Sequence, residues 1–389
     1  MSTQSPVTVS AAAPVPVADA PRSGLSRDRY LDFLRFLAIC RIIIYHYYGW
    51  VWLTYAFPAM GVMFALAGSL MANSLARPGG RPVRNRLRRL LPALWVVGAI
   101  TVPVMIVQAV RTGDTGSLPA PYTLLTWIVP VVSPPGTDFV FPVTEVLWYL
   151  TAYLWFVALS PLAIRVYRRL PWPTVLAPLA ILAVAVVSGM EQYASNAVVR
   201  VGFDLAMYGS CWLIGFAHRD GRLAKVPQPL VLGVAAAALA GGTIWAFAHV
   251  NDDGSLDLTG IPLAQGLYCF GFVLLVMRLR PGMAWLRRRK VLNGLVTFVN
   301  ARAVTIYLWH NIAIAVADAL GGPLDLWRWG AWRGDQLAFL LALVLTIFMA
   351  FAVGWVEDLA ARRPPRLLPT NLYADVGRGR GRHRIAPSG

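Results

Sequence analysis

Charge is what this chain has least of. Of its 389 residues only 14% are Asp, Glu, Lys or Arg, against about a quarter in an ordinary soluble protein. With 57% hydrophobic residues and a mean hydropathy of +0.58, that deficit excludes a string of soluble domains. The solvent for most of the chain is lipid or neighbouring membrane helices. Lysine is nearly absent: Lys225 and Lys290 are the two that occur, and the rest of the positive charge is Arg, a compositional bias. The net charge of +17 does not imply a nucleic-acid partner, because the arginines sit in short loops between apolar runs. Cysteine is scarce too. Cys40, Cys211 and Cys269 lie far apart inside apolar runs, so neither a disulfide framework nor a zinc site is expected, and no metal. No nucleophile elbow, Walker loop, HExxH or Rossmann glycine pattern stands in a supporting context.

What is present is a series of apolar segments near the length of a membrane span. They fall at 30–50, 56–75, 90–110, 144–166, 172–190, 202–218, 229–249, 260–278, 297–319 and 335–357. The longest connection, 111–143, is rich in Pro and Gly. No internal repeat is visible, which weighs against inverted-repeat transporter folds. Alternate connections are basic: Arg22, Arg27 and Arg29; Arg77 to Arg89; Arg165, Arg168 and Arg169; Arg219, Arg222 and Lys225; Arg278 to Lys290; and the tail from Arg362. The connections between them are acidic or near neutral, with Asp114, Asp138, Glu191, Asp252, Asp253, Asp257, Asp318, Asp325 and Asp335. The positive-inside rule then gives an all-α polytopic protein of about ten transmembrane helices with both termini cytoplasmic. Residues 1–26, Ala/Pro/Val-rich without a basic n-region, read as a disordered tail rather than a signal peptide. The basic, Gly/Pro-rich 361–389 reads as a second disordered tail, leaving 27–360 as one membrane domain.

Ionisable residues inside spans are expensive and tend to be functional. The first span, DRYLDFLRFLAICRIIIYHYYGW, holds Asp32, Arg35, Arg41 and His46. Eleven positions separate Arg35 from His46, about 1100° of helix, so they share one face ~16 Å apart along the axis. Arg35 falls toward the cytoplasm and His46 toward the outer half. Arg35 could also pair with Asp32 or snorkel to headgroups, and Arg41, on another face, suggests an ion pair. Cys40 lies ~500° from Arg35 and faces elsewhere. His218 and His249 sit at span ends, where solvation is expected; His383 is in the tail. The aromatics from Tyr45 to Trp52 suggest an interfacial belt.

These residues carry a resemblance. Asp32-Phe-Leu-Arg35, ten residues and then His46 is similar to the Arg-x10-His signature of the acyltransferase-3 family, bacterial integral-membrane O-acyltransferases with ten-helix cores. Gly61-Val-Met-Phe64-Ala-Leu-Ala67-Gly68 resembles the family's second-helix pattern. Arg86-Leu-Arg88-Arg89-Leu-Leu-Pro92 resembles the basic run that opens its third helix. Trp148-Tyr-Leu with Pro161 resembles the fourth, and Thr305-Ile-Tyr307-Leu-Trp309-His310 a late one. The chain departs from the pattern at Ala67, where the family has Ser, and at Tyr153, where many members have Glu. Glu145, one turn before Trp148, is a candidate substitute carboxylate.

The resemblance implies acyl-CoA as donor substrate, with no permanently bound cofactor. His46 is the candidate base, since imidazole titrates near neutrality. Arg35 is the candidate partner of the thioester oxygen or a donor phosphate. Arg86 and Arg89 match the family's paired arginines and are candidates for gripping coenzyme A phosphates, the alternative being topology and anionic-lipid contact. His310, Tyr307, Trp148 and Glu145 are candidate supporting residues. The expected function is transfer of an acetyl or short acyl group to a hydroxyl of a carbohydrate, glycolipid or cell-envelope acceptor, in the cytoplasmic (inner) membrane. A secondary transporter or exporter, or a non-catalytic acyltransferase-like subunit, is the alternative. The loop charges make an immediate prediction about sidedness. Alkaline phosphatase fused after Gly113 should be active in a bacterial host and the fusion after Gly80 inactive; the reverse pattern would overturn the orientation.

Overall fold

The computed structural model describes residues 28–279 and 281–365. Its regular structure is helical, with no strand among the described residues. The main elements are α1 (Arg29–Tyr48), α2 (Ala59–Leu75), α3 (Pro82–Thr112), α4 (Leu147–Arg169), α5 (Pro171–Val187), α6 (Ala197–Arg219), α7 (Gln228–Ala248), α8 (Pro262–Arg278), α9 (Lys290–Ala301), α10 (Ala303–Gly321), α11 (Ala331–Ala352) and α12 (Trp355–Ala360). The tail expected at 1–26 and residues 366–389 of the one expected at 361–389, with His383, lie outside the described residues.

Among the described residues seven helices are long and apolar enough to cross a bilayer: α2 with the turn before it, α3, α4, α6, α7, α10 and α11. The other expected spans fall short for identifiable reasons. α5 and α8 are apolar but only 17 residues long, where a straight crossing takes about 20. α1 has 20 residues, but Arg29, Asp32, Arg35 and Arg41 lower its hydropathy.

The structure also breaks two segments expected to be continuous. The 297–319 segment divides at Arg302 into α9 and α10, and the last segment ends at Ala352 before resuming as α12. Both breaks have one cause. Arg302 is 1% exposed, donates to the Gly354 carbonyl at 2.9 Å and pairs with Asp358 at 2.8 Å. A fully buried guanidinium needs such partners, and the turn at 353–354 delivers them.

At the bundle's centre lies α2, 78% buried across its apolar window, whereas α7 and α11 are only 22% buried and face outward. In a membrane, helices associate by close packing of small residues rather than by a hydrophobic drive. α2 and α6 do this. A Cβ on Gly68 would stand 2.1 Å from the Trp212 carbonyl oxygen, and one on Gly215 would stand 2.2 Å from that of Ala65. The glycine in the second-helix pattern is therefore a packing requirement. At its far end α1 stops at Gly49, whose φ of 64° caps the helix on the Tyr45 carbonyl.

Hydrogen bonds between connections gather the arginine-rich ends on one side of the bundle. Arg29 bonds Asn293, Arg219 bonds Asn73, and Tyr167 donates to Asp220 at 2.9 Å. The opposite ends are joined likewise: Tyr45 to Asp257, Tyr47 to the Asp335 carbonyl, Tyr55 to the Leu256 carbonyl. The long 111–143 connection is folded onto α3 rather than loose. Trp127 is buried, packs against Gly98 and donates to the Pro135 carbonyl.

Substituting Gly68 with Ala should lower stability by about 1–3 kcal/mol, the usual penalty for forcing atoms into a packed interior. Gly233, on α7 with nothing within 4 Å of an added Cβ, is the control. Thermal denaturation in detergent should show a lower midpoint for Gly68→Ala and no loss for Gly233→Ala; equal midpoints would refute the packing role.

Candidate functional site

The polar residues of α1 do not face lipid. All but Arg41 meet α9 and α10, which run parallel to α1 in nearly constant register. Arg29 donates to Asn293 and Thr297, Arg35 donates to the Asn300 side-chain oxygen at 3.1 Å, and the ring of His46 lies 5.2 Å from that of His310. Asp32 pairs with Arg29 at 3.3 Å. Arg41, expected in an ion pair, donates to the Leu53 carbonyl at 3.2 Å and lies over the Tyr45 ring.

Toward the arginine-rich end, Arg35 opens onto a cavity of about 130 Å³. Its other charged lining residues are Arg86, Arg89 and Glu357, and its aromatic ones are Tyr149, Tyr153 and Tyr307. The basic run at the start of α3 therefore divides. Arg86 and Arg89 turn inward, while Arg81 and Arg84 are exposed. Both departures from the family pattern, Ala67 and Tyr153, line this same cavity. Tyr153 is not a passive replacement, because its hydroxyl accepts from Arg86 at 2.8 Å. A carboxylate is still present: Glu357 is 3% exposed. Its Oε1 accepts from the backbone N–H and the hydroxyl of Thr305, both at 2.5 Å. Its Oε2 is buried without a hydrogen-bond partner among the described residues. The lining carries no Ser, Thr or Cys.

Toward the other end, a second polar group surrounds His46. Its Nδ1 lies 3.9 Å from Glu145 Oε1, beyond hydrogen-bond length but within ion-pair range. Asn311 donates to the other oxygen of Glu145 at 3.2 Å. His310 is completely buried, and its Nδ1 donates to the Tyr307 carbonyl at 2.6 Å. Tyr307 itself donates from its hydroxyl to the Val146 carbonyl at 2.7 Å, so its backbone rather than its phenol holds His310. Of the histidines expected to be solvated, His249 is exposed and stacks on Trp245. His218 is not: it is 9% exposed and 3.3 Å from Ser69 Oγ, because the second half of α6 packs closely on α2.

Between the two polar groups lies an aromatic layer. Tyr149 and Tyr307 are 4.9 Å apart, Phe64 and Tyr149 4.8 Å, and Trp148 stacks on Tyr208 at 5.6 Å. Trp148 thus packs beside the layer and does not line the arginine cavity. Rings can fill the membrane interior without unpaired polar atoms, and they leave Arg35 and His46 as two separate stations on one helix. The residues missed by the sequence reading are Tyr149, Asn300, Asn311 and Glu357. Asn300 and Asn311 carried a signal, since they sit in an apolar segment eleven positions apart, the same spacing as Arg35 and His46. Glu357 had none, because only the turn before α12 folds it back onto α10.

A family profile described as an acyltransferase domain matches residues 28–356, which include all of these side chains except Glu357. No curated protein and no solved structure matches the chain. A match over that much of the chain, carrying the Arg35–His46 helix and the paired arginines with it, shows that this chain belongs to the acyltransferase-3 family of membrane acyltransferases.

Proposed function

We propose that the protein transfers an acyl group from acyl-CoA to a hydroxyl acceptor within the membrane, with Arg35, Arg86 and Arg89 on the donor side and His46 on the acceptor side. In this reading ten helices cross the cytoplasmic membrane and both termini face the cytoplasm. The short α5 and α8 and the charged α1 cross because their neighbours shield them. The acyl group is short, and the acceptor is a carbohydrate or glycosylated envelope molecule.

The observation that supports the reading best is the cavity shared by three arginines. Guanidinium groups suit phosphate and carbonyl oxygens, bidentate and fully ionised. Three of them held around a partly apolar hollow, with one carboxylate to moderate the charge, suit the polar portion of an acyl-CoA better than a neutral solute. The ~16 Å along the helix axis between Arg35 and His46 means one carbonyl carbon cannot touch both. Arg35 therefore acts on the donor's polar arm, and the thioester extends past Tyr149 and Tyr307 toward His46. There the acceptor hydroxyl gives its proton to His46 while its oxygen adds to the thioester carbonyl. Collapse of the tetrahedral species breaks the carbon–sulfur bond, and the proton held by His46 returns to the departing thiolate. Direct transfer in a ternary complex is favoured because no activated nucleophile is evident in the sequence. Glu145, beside the His46 ring, is placed to favour the imidazolium that forms.

Removing a general base commonly lowers a rate by about 10²–10⁴-fold. Purified His46→Ala should lose thiol release from acetyl-CoA by that order while eluting as the same monodisperse species in detergent; retained turnover would remove His46 as the base. Arg89→Ala should raise the KM for acetyl-CoA on the order of tenfold, as expected for a lost charge-assisted contact, with little change in acceptor dependence. An unchanged KM would return Arg89 to a topological role. Mass spectrometry of envelope glycans and lipids from a deletion strain identifies the acceptor by its missing acyl group.

A further inference from the structure

Glu357 is a buried carboxylate with one oxygen bonded and the other not. It is 3% exposed. Oε1 accepts from the backbone N–H and the hydroxyl of Thr305, each at 2.5 Å. Oε2 is buried, and no donor among the described residues reaches it, although a buried polar atom left unpaired is costly and calls for a reason. The nearby guanidinium groups bond other acceptors. Arg302 donates to the Gly354 carbonyl and to Asp358, Arg86 to Tyr153, and Arg35 to Asn300. Glu357 lines the arginine cavity together with Arg35, Arg86 and Arg89. A molecule that brings an N–H into that cavity supplies the missing donor.

Chemistry and reach together narrow the class of that molecule. Guanidinium groups only donate, and a carboxylate oxygen only accepts. Phosphate offers acceptors alone, which suits the arginines but sets one anion against another at Oε2. A secondary amide offers a carbonyl oxygen and an N–H on opposite edges of one plane, so it satisfies both. The aliphatic walls of the cavity, Met63, Leu70, Leu90 and Leu150, suit the methylenes beside such a group. Reach gives the second limit. Thr305, which fixes Glu357, stands five residues before His310 on α10, about 7.5 Å along the helix axis. The His310 ring lies 5.2 Å from that of His46. In acyl-CoA the arm next to the thioester carries amides in series. The nitrogen of the second stands about seven bonds from the sulfur, roughly 8–9 Å in an extended chain. A thioester at His46 therefore brings that N–H to the level of Glu357, while the phosphates and the adenine lie farther off.

We propose that Glu357 sets donor specificity: its Oε2 accepts the N–H of the second amide of a pantetheine arm, so the cavity selects a thioester that bears this amide. The inference rests on acyl-CoA being the donor. Glu357 makes and breaks no covalent bond and exchanges no proton.

Equilibrium binding to the full-length protein in detergent, measured by isothermal titration calorimetry, tests this without turnover. The probes are coenzyme A and an analogue in which the second amide N–H is replaced by a methylene, leaving the carbonyl in place. Wild type should bind coenzyme A on the order of tenfold more tightly than the analogue, the size of one hydrogen bond to a charged group. Glu357→Gln keeps an oxygen for the Thr305 donors and turns an amide N–H group toward the cavity. It should bind both probes with similar affinity, through a loss for coenzyme A alone. Equal affinities in wild type, a comparison that needs no variant, would overturn the proposal. So would a Glu357→Gln protein that binds both probes more weakly and keeps the wild-type ratio, the pattern of a packing defect. Coenzyme A binding without discrimination sinks this inference and leaves the acyl-CoA reading standing, whereas a wild-type protein that binds no coenzyme A sinks both.

Discussion

A helix that carries Arg29, Asp32, Arg35, Arg41 and His46 is a poor candidate for life in lipid, and the architecture is organised around making it tolerable. Each charged or polar group would be costly if it faced hydrocarbon. The solution is the parallel packing of α1 on α9 and α10, where Asn293, Thr297, Asn300 and His310 meet the α1 side chains in step. Between α9 and α10 stands Arg302, a buried guanidinium that Asp358 on α12 and the Gly354 carbonyl in the turn before it neutralise. Glu357 reaches the arginine cavity on the same short helix.

The second constraint is packing at the centre. α2 and α6 approach so closely at Gly68 and Gly215 that backbone touches backbone, which makes a rigid wall for one side of the cavity. Along that wall Phe64 anchors the aromatic layer through Tyr149 and Tyr208. In the reaction proposed above rigidity matters, since a donor held at the arginines would reach His46 only if the intervening distance is fixed. Positioning of this kind can supply a large part of a rate enhancement without any covalent participation by the protein.

The departures at Ala67 and Tyr153 acquire a physical meaning from their location. Both line the arginine cavity. Tyr153 exchanges a carboxylate for a phenol that still engages Arg86, while Glu357 supplies a negative group from another helix. The cavity therefore keeps three guanidinium groups and one carboxylate, so its charge is redistributed rather than lost.

Much of this was legible in the order of residues. The scarcity of charge dictated a membrane protein, because nothing else accommodates so much apolar chain. The spacing of Arg35 and His46 dictated a shared helical face, because that follows from 3.6 residues per turn. The alternation of arginine-rich and acid-bearing loops carried the topology expected of the bundle. Tertiary structure alone decided what those groups meet. Helix periodicity says which way a side chain points but not which helix stands there, so the pairing of His46 with His310 and Glu145, and of Arg35 with Asn300, could not be read in advance. Nor could the splitting of the ninth expected span, whose hydropathy is continuous; it divides because a buried arginine finds its carbonyl and carboxylate more than fifty residues further along the chain, a partnership that only folding brings into contact.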